Sequence, residues 1–562
     1  MASAFAHKSL VVGLLAVALL VLGCAPAAQA PQQTAGTPAE KAAEKPAAPG
    51  AEKPRYEGVP FPTMGTPKYG GILHRAQTDD PPNFDLYSNS TVSMQRFTWS
   101  AYNNLLIFDP YDTTKFIPDA AERWEISKDG KEVTFYLNKN MKFHNGTPLT
   151  AKDVKFSLDF LRDPPKGNVS TRRDNLKPIE SVETSDDYTV KLKLSRPYAA
   201  LLPMLAQGWM AIYSKDFIAA KGNDIMVKEI MGSGAFKLKK YIRGVSVEME
   251  KNPDYWQKGV PYLDGLQVFF IPDKGTRFAA LRTGQIDEYG VDELEAEELK
   301  KSMAGKINIE SGVGIGWQTL NMNADRKPYD DLRVRKALSL AIDRPGLIKV
   351  VLKGAGQLGG YVPPTSPYAL PQSELLKLPG YGPDAEANRA EAKKLLTEAG
   401  YPNGFEAIMT NRKQSEDLGV YVADQLGKVG VKTTMKMLDS GPAYDAAVKR
   451  DFDILPWGHG LALDDPDAHY TELYLCGAPR DYSGMCDQKV TDLFMAQSTE
   501  LDAEKRKQKV WDMEKYAVPL GIKLVLAWTT YREASWNYVK GYVQGPSPGY
   551  NTSHWKHVWM DK

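Results

Sequence analysis

Two kinds of hydrophobic spacing divide the chain. From about Pro67 to Asp287 apolar residues recur at every second position. Val133, Phe135 and Leu137 alternate with polar residues, as do Val190, Leu192 and Leu194. That period predicts half-buried strands. One helix interrupts them: Thr150-Ala151-Lys152-Asp153 reads as a capping box, and Val154, Leu158 and Leu161 then share a face. After about Ile307 helix and strand periods alternate. Asp330 or Asp331 caps a helix whose inner face is Val334, Leu338, Ala341 and Ile342. Asp384 starts another that stops at Gly400, with Pro402 beyond, and Ser415 starts a third that ends near Gly430. Val431, Thr433, Met435 and Met437 then read as a strand; a short helix and a second strand, Phe452 to Trp457, follow. The expected class is α/β. A β-rich lobe followed by an α/β lobe predicts a cleft between them, a preferred place for ligands.

The first residues have a pattern of their own. Met1 to Lys8 carries one Lys, Ser9 to Gly23 is almost wholly apolar, and Val21-Leu22-Gly23-Cys24 closes the run. This predicts a signal peptide over 1–23, since the run is shorter than the ~20 residues of a membrane span. Leu22-Gly23-Cys24 resembles the lipobox of bacterial lipoproteins, which implies lipidation at Cys24 and a membrane anchor. An ordinary signal peptide that contains a Cys is the other reading. Ala, Pro, Gln, Glu and Lys dominate the next segment, which offers almost nothing to bury, so 24–56 is expected to be a disordered tether.

Composition narrows the partners. Formal net charge is +1, which supplies no field to attract nucleic acid. The body exceeds one hydrophobic core, so two or three lobes are expected. Besides Cys24 there are two cysteines, Cys476 and Cys486. In an oxidising compartment this pair predicts a disulfide that closes a small loop; two free buried thiols are the alternative.

Catalytic signatures are missing. The chain has no Gly-x-Ser-x-Gly, no His-Glu-x-x-His and no phosphate loop ending Gly-Lys-Ser/Thr. Gly354-Ala355-Gly356-Gln357-Leu358-Gly359 fits the dinucleotide fingerprint. Tyr361, Pro363, Pro364 and Pro367 follow it, however, and forbid the helix whose N-terminus would hold a pyrophosphate. The stretch predicts a loop. His554-Trp555-Lys556-His557 lacks companions for a metal site and reads as a surface terminus. No catalytic residue, metal site or cofactor is expected. A hydrolase built on a pair of carboxylates remains open, although nothing marks out such a pair.

Several ordered motifs carry a resemblance. Ile117-Pro118-Asp119-Ala120-Ala121-Glu122-Arg123-Trp124 leads through Ser127-Lys128-Asp129-Gly130 to Met141-Lys142-Phe143-His144-Asn145-Gly146 and Pro148-Leu149-Thr150-Ala151. Gly232-Ser233-Gly234-Ala235-Phe236, Asn252-Pro253-Asp254-Tyr255-Trp256, Leu281-Arg282-Thr283-Gly284-Gln285-Ile286-Asp287 and Arg333-Val334-Arg335-Lys336-Ala337-Leu338 follow. Together they resemble the family 5 extracellular solute-binding proteins that feed ABC importers for oligopeptides, dipeptides and nickel. The resemblance implies a periplasmic-binding-protein-like fold. Two hinged lobes would close on a solute, and a subdomain would be inserted in the first. Lobe I is then expected over 57–100 and 186–305, the insert over 101–185, lobe II over 306–536 and a return to lobe I over 537–562. It implies a monomeric extracytoplasmic receptor that hands a small solute, peptides first, to a permease. Oligosaccharides and metal chelates stay open as cargo. Most of the motifs read as fold: Ser127-Lys128-Asp129-Gly130 is a turn, and Gly232 and Gly234 permit a tight backbone path.

Candidate contacts follow from the same resemblance. Asp453-Ile454-Leu455-Pro456-Trp457-Gly458-His459-Gly460 through Asp464-Asp465-Pro466-Asp467 resembles the ligand-facing strand and loop. Peptide binders of the family hold the ammonium with an Asp three residues before the Asp-Pro pair; here Ala462 stands there. Asp464 is the substitute, or a solvated loop residue. Trp457 reads as a stacking surface or as core, and His459 as a hydrogen-bond donor, a ligand of a chelated metal or a loop residue. Trp317, Tyr361 and Trp209 are aromatic candidates near expected lobe junctions. Tyr102 and Asn103 mark the start of the insert, and Tyr482 lies inside the expected cysteine loop.

Overall fold

The computed structural model describes residues 65–88, 97–460, 463–543, 550 and 555–562. These lie within the compact unit Ala51–Lys562. The leader 1–23, the tether 24–56, Cys24, Ala462 and His554 are outside the described residues.

The alternating stretches are strands, as their period requires. Glu132–Leu137 buries Val133, Phe135 and Leu137, and Thr189–Leu194 buries Val190, Leu192 and Leu194. With Ala121–Ile126 and Ile179–Asp186 they form a four-stranded antiparallel sheet. The helix Ala151–Arg162 starts with the expected capping box of Thr150 and Asp153, and packs on this sheet. Because Thr189–Leu194 pairs with both Glu132–Leu137 and Ile179–Asp186, the insert runs to Leu194. A boundary at 185 would cut this hairpin, whose second strand supplies the insert's core residues Val190 and Leu192.

A long mixed sheet joins the two lobes. Its strands run in the order Val431–Leu438, Phe405–Arg412, Ile454–Gly460, Ile307–Met322, Leu524–Trp536, Glu288–Gly290, Ile72–Gln77, Gly265–Phe270, Ser246–Lys251 and Phe236–Ile242. Gly356–Gln357 adds to the side of Leu524–Trp536. The loop around it holds no helix at its glycines, as the prolines demanded.

Two strands cross from lobe to lobe. Residues 307–313 pair with 530–536 beside Glu288–Gly290, and residues 317–320 pair with 524–528 beside Ile454–Gly460. The register shifts between Val313 and Trp317. Such irregularities bend and twist a ladder locally. Here the break lies where the sheet leaves one lobe for the other, which makes these strands the hinge.

Lobe II surrounds its half of the sheet with helices. Leu332–Ala341, capped by Asp331, Ala385–Glu398, capped by Asp384, and Glu416–Gly427 occupy the predicted places. Successive strand residues feed separate clusters: Leu524 and Leu526 face Val334 and Leu338, whereas Val525 packs with Tyr361, Tyr470 and Met513. That division is the period of two expected of a sheet covered on both faces.

The C-terminal segment returns to lobe I. Val539–Lys540 pairs with Trp559–Met560, and Val539, Trp555, Val558 and Met560 join the lobe I core. The expected surface terminus is therefore wrong for Trp555, Lys556 and His557, which are buried. Burial of Trp555 under the Arg75 guanidinium, 4.9 Å from its ring, carries the neighbouring residues inward.

Candidate functional site

Lobe I contributes a wall built on Trp99–Ala101 and the residues after it. A Cβ on Gly232 would collide with the Ala101 carbonyl oxygen, and one on Gly234 with that of Ser100. These glycines let the two segments touch, and Gly234 N–H donates to the Ala101 carbonyl at 2.9 Å. His144 braces the same turn. Its backbone N–H donates to Gly232 O at 2.8 Å, and its Nε2 lies 3.2 Å from Gly234 O. Burial lowers the His144 pKa to about 4, so the ring is neutral and donates from Nε2.

Asn103 is a structural tie. Its Nδ2 donates to Asp119 Oδ1 at 2.6 Å and its Oδ1 accepts from Ser233 Oγ at 2.9 Å. Tyr102 packs on Tyr213 with ring centroids 4.9 Å apart. Trp209 meets Trp99 edge-on at 5.6 Å and carries the Arg172 guanidinium 4.9 Å above its ring. The side-chain nitrogens Trp99 Nε1, Trp209 Nε1 and Arg172 Nε are buried without hydrogen-bond partners among the described residues.

Lobe II contributes the facing wall from its sheet. Pairing sets Trp317 opposite His459 and Thr319 opposite Trp457. Rings stack in a row: Trp528 on Trp317 at 4.7 Å, Trp317 on His459 at 5.1 Å, and His459 on Tyr482 at 5.9 Å. Trp457 is 5% exposed; Tyr482 meets it edge-on and the Arg412 guanidinium sits 4.2 Å over its ring. Cation and ring attract through the ring quadrupole.

A covalent loop holds the charges of this wall. Cys476 and Cys486 are joined, and Arg480 and Tyr482 lie between them. Arg480 donates to His459 Nδ1 at 3.2 Å, to Glu472 at 3.3 Å and to the Gly460 carbonyl at 3.2 Å. Lys523 donates to the Arg480 carbonyl at 2.9 Å and to Asn321 at 3.1 Å; burial lowers its pKa to about 7.

The Asp-Pro-Asp loop has two duties. Asp464 accepts a hydrogen bond from the Tyr550 hydroxyl, and its enclosure raises its pKa to about 6. Asp465 caps the helix Pro466–Leu473 and forms a fork with Arg506 at 2.8 and 2.9 Å. Arg506 also reaches Asp467 at 2.9 Å. Asp467 in turn accepts from Ser498 and Gln497.

The lobes touch around these walls. Glu472 and Arg480 of lobe II both act electrostatically on Arg172 of lobe I. Helix Pro466–Leu473 packs on the turn Asp174–Leu176 that follows Arg172. Arg196 donates to Ser498 Oγ, and Leu501 lies against Gly130 and Pro197.

Of the residues singled out in the sequence, Trp457, His459 and Trp317 share one sheet face, while Tyr102, Asn103 and Trp209 stand together in lobe I. Tyr361 lies behind the row of rings, in the same buried cluster as Trp317 and Trp528. It stacks on Tyr474 at 4.0 Å and donates to the Ala517 carbonyl inside lobe II. Its expected place at a lobe junction is corrected by this packing, which the proline-rich loop after Gly360 directs inward. Arg172, Arg412, Arg480 and Trp99 were missed, because no local pattern distinguishes a cleft cation from a solvated one. Among the described residues no three His, Cys, Asp or Glu side chains are grouped to hold a metal ion.

Known proteins share this sequence and architecture. Residues 115–480 match the family described as bacterial extracellular solute-binding proteins, family 5 Middle. The glutathione-binding protein GsiB of Escherichia coli strain K12 is 32% identical over 359 residues, 63% of this chain and 67% of its own. The structure of the periplasmic binding protein DppA from Helicobacter pylori with the peptide STSA superposes with a TM-score of 0.75 at 26% identity, covering 88% of this chain and 99% of that one. AgaA from A. tumefaciens R10, bound to agropinic acid, superposes with a TM-score of 0.72 at 26% identity, covering 88% and 99%. The chain thus belongs to the family 5 bacterial extracellular solute-binding proteins.

Proposed function

We propose that this chain is the extracytoplasmic receptor of an ABC importer, that it closes two lobes on a peptide-sized solute, and that it releases the solute unchanged. The observation that carries this reading is the pair of polar and aromatic walls, one per lobe, facing each other beside a hinge of two strands. Closure follows when a solute binds the closed state more tightly than the open one. A permease that recognises the closed form then receives the cargo. Cys24 carries the lipid anchor and 24–56 spaces the body from the membrane; the receptor acts as a monomer.

Peptides lead as cargo because GsiB and DppA are described with glutathione and a peptide. A second reading, a small non-peptide acid, is favoured by AgaA with agropinic acid. A thermal-shift screen over di- to pentapeptides, glutathione, agropinic acid and nickel chelates tests both. A true solute stabilises the protein by about 2.7 kcal/mol at a hundred times its Kd, and mass spectrometry recovers it intact. Turnover of the hit, or hits from none of these classes, would sink the reading.

A further inference from the structure

A second cavity lies between the lobes, apart from the aromatic walls of the cleft. Its volume is about 210 Å³. Ile126, Val133 and Leu194 of the insert and Leu202 of lobe I line one side, and Leu501 and Tyr368 of lobe II line the other. No residue of the aromatic walls takes part in it. Leu501 is 48% exposed, so the cavity reaches the surface beside that side chain. An apolar cavity of about 150 Å³ takes up a benzene ring. This one has room for a single ring with a substituent.

Its polar groups narrow the occupant. The charged residues of the lining are Glu500 and Arg506, and both are engaged within lobe II. Glu500 meets Lys509 at 2.6 Å, and Arg506 holds Asp465 and Asp467 at 2.8 and 2.9 Å. The Arg196 guanidinium lies 5.3 Å over the Tyr198 ring and donates to Ser498 Oγ and the Pro197 carbonyl. Tyr198 differs from these. It lines the cavity and is 6% exposed, yet its hydroxyl has no hydrogen-bond partner among the described residues. Burial and the nearby Asp467 and Asp465 hold its pKa well above the ordinary tyrosine value, so the hydroxyl keeps its proton. A buried hydroxyl without a partner is unfavourable, and an occupant with a matching polar atom relieves it. The cavity therefore suits a neutral ring with one hydrogen-bonding substituent, as in a phenol.

We propose that this cavity is a second binding site, for a small neutral phenol-like molecule, and that its occupation favours the closed receptor because both lobes supply its walls. The link to closure rests on the receptor reading above. The cavity has this form only while Leu501 lies against Gly130 and Pro197 across the lobes. An occupant thus binds the closed state better than the open one. It strengthens solute binding, and the solute strengthens its binding by the same factor.

Fluorine NMR with 4-fluorophenol and fluorobenzene tests the site. The native protein binds 4-fluorophenol saturably at roughly millimolar concentration. Tyr198→Phe keeps the ring and weakens 4-fluorophenol about 5-fold, the scale of one hydrogen bond, while fluorobenzene is unaffected. Leu202→Trp fills the cavity and abolishes both. Should Leu202→Trp fail to fold, the comparison of the two probes on Tyr198→Phe decides alone. No saturable binding to the native protein, or unchanged binding of 4-fluorophenol to Tyr198→Phe, overturns the site. Small-angle scattering of the solute-free protein tests the link to closure: 4-fluorophenol lowers the radius of gyration, and an unchanged radius overturns the link. A protein that 4-fluorophenol contracts and no di- to tetrapeptide contracts sinks the peptide reading and leaves this site standing.

Discussion

The Arg196 guanidinium donates to the Ser498 hydroxyl at 2.9 Å, and the two residues belong to different lobes. The Ala199 N–H donates to the Ser498 carbonyl at 2.9 Å beside it, and Leu501, 48% exposed, lies against Gly130 and Pro197. None of these residues belongs to either wall of the cleft. The contact stabilises closure whatever the cargo. Arg196→Ala removes one bond worth about 1 kcal/mol and weakens every solute by about 5-fold. Calorimetry with two chemically different solutes checks this; unequal losses would mean that Arg196 touches cargo.

Arg506 neutralises Asp465 and Asp467, and all three are buried. Replacing it with Met leaves two carboxylates inside the protein without their cation. Arg506→Met is expected to cost about 3–5 kcal/mol. Denaturant unfolding measures the loss. A variant as stable as the parent would show that water or rearrangement compensates the acids.

The bridge between Cys476 and Cys486 closes a segment with a sequence separation of 10 that holds Arg480 and Tyr482 beside His459. Changing both cysteines to Ser lowers stability by about 2–3 kcal/mol. It also loosens Arg480, so solute affinity falls at temperatures where the variant is still folded. Calorimetry with and without reductant on the parent reads the same effect. Unchanged affinity after full reduction would exclude the loop from the site.

Glu514 gives a pH dependence with a definite sign. It is fully buried, accepts the Val362 N–H at 2.8 Å, and burial raises its pKa to about 7. The folded state thus holds a proton that the unfolded chain releases near its ordinary value. The contribution is fully present below that value and is lost as pH rises toward 7, by about 3 kcal/mol in all. Glu514→Gln keeps an acceptor for Val362 and has no proton to lose. The variant should therefore gain stability over the parent between pH 5 and pH 8, as followed by thermal melts. A constant difference across that range would contradict the assignment.

Periodicity carried much of the fold. Val133, Phe135 and Leu137 had to share a face because a strand turns its side chains alternately. Thr150 and Asp153 had to start a helix because both orphan N–H groups need acceptors. Gly232 and Gly234 permit the tight backbone path expected of them. Asp119, His144, Gly232 and Gly234 form one interlocked support under the Trp99 segment. The hairpin Ile179–Leu194 was cut wrongly at 185 because both its strands carry the same alternation, and nothing local says which sheet they join.

The cleft was legible only in part. Trp457 and His459 were singled out by the resemblance of the Asp453–Asp467 stretch, and Trp317 as an aromatic near an expected lobe junction; strand pairing sets Trp317 directly opposite His459. Arg172 was not singled out, since its significance comes from Glu472 and Arg480, which are distant in the chain. Arg506 was hidden for the same reason. Its partners lie in another helix, and a charged residue in an amphipathic sequence looks solvated until the partner element is placed over it.

Short-range physics explains what the sequence determined by itself: which segments are strands and helices, where they are capped, and that the body divides into a β-rich part and an α/β part. Those outcomes depend on dihedral preferences and on burial within a few turns. Tertiary structure alone decided where the sheet bends between Val313 and Trp317, which cations lose water, and which ring stacks on His459. Desolvation and Coulomb attraction depend on distance in space, and the chain order does not encode that distance until the lobes have packed.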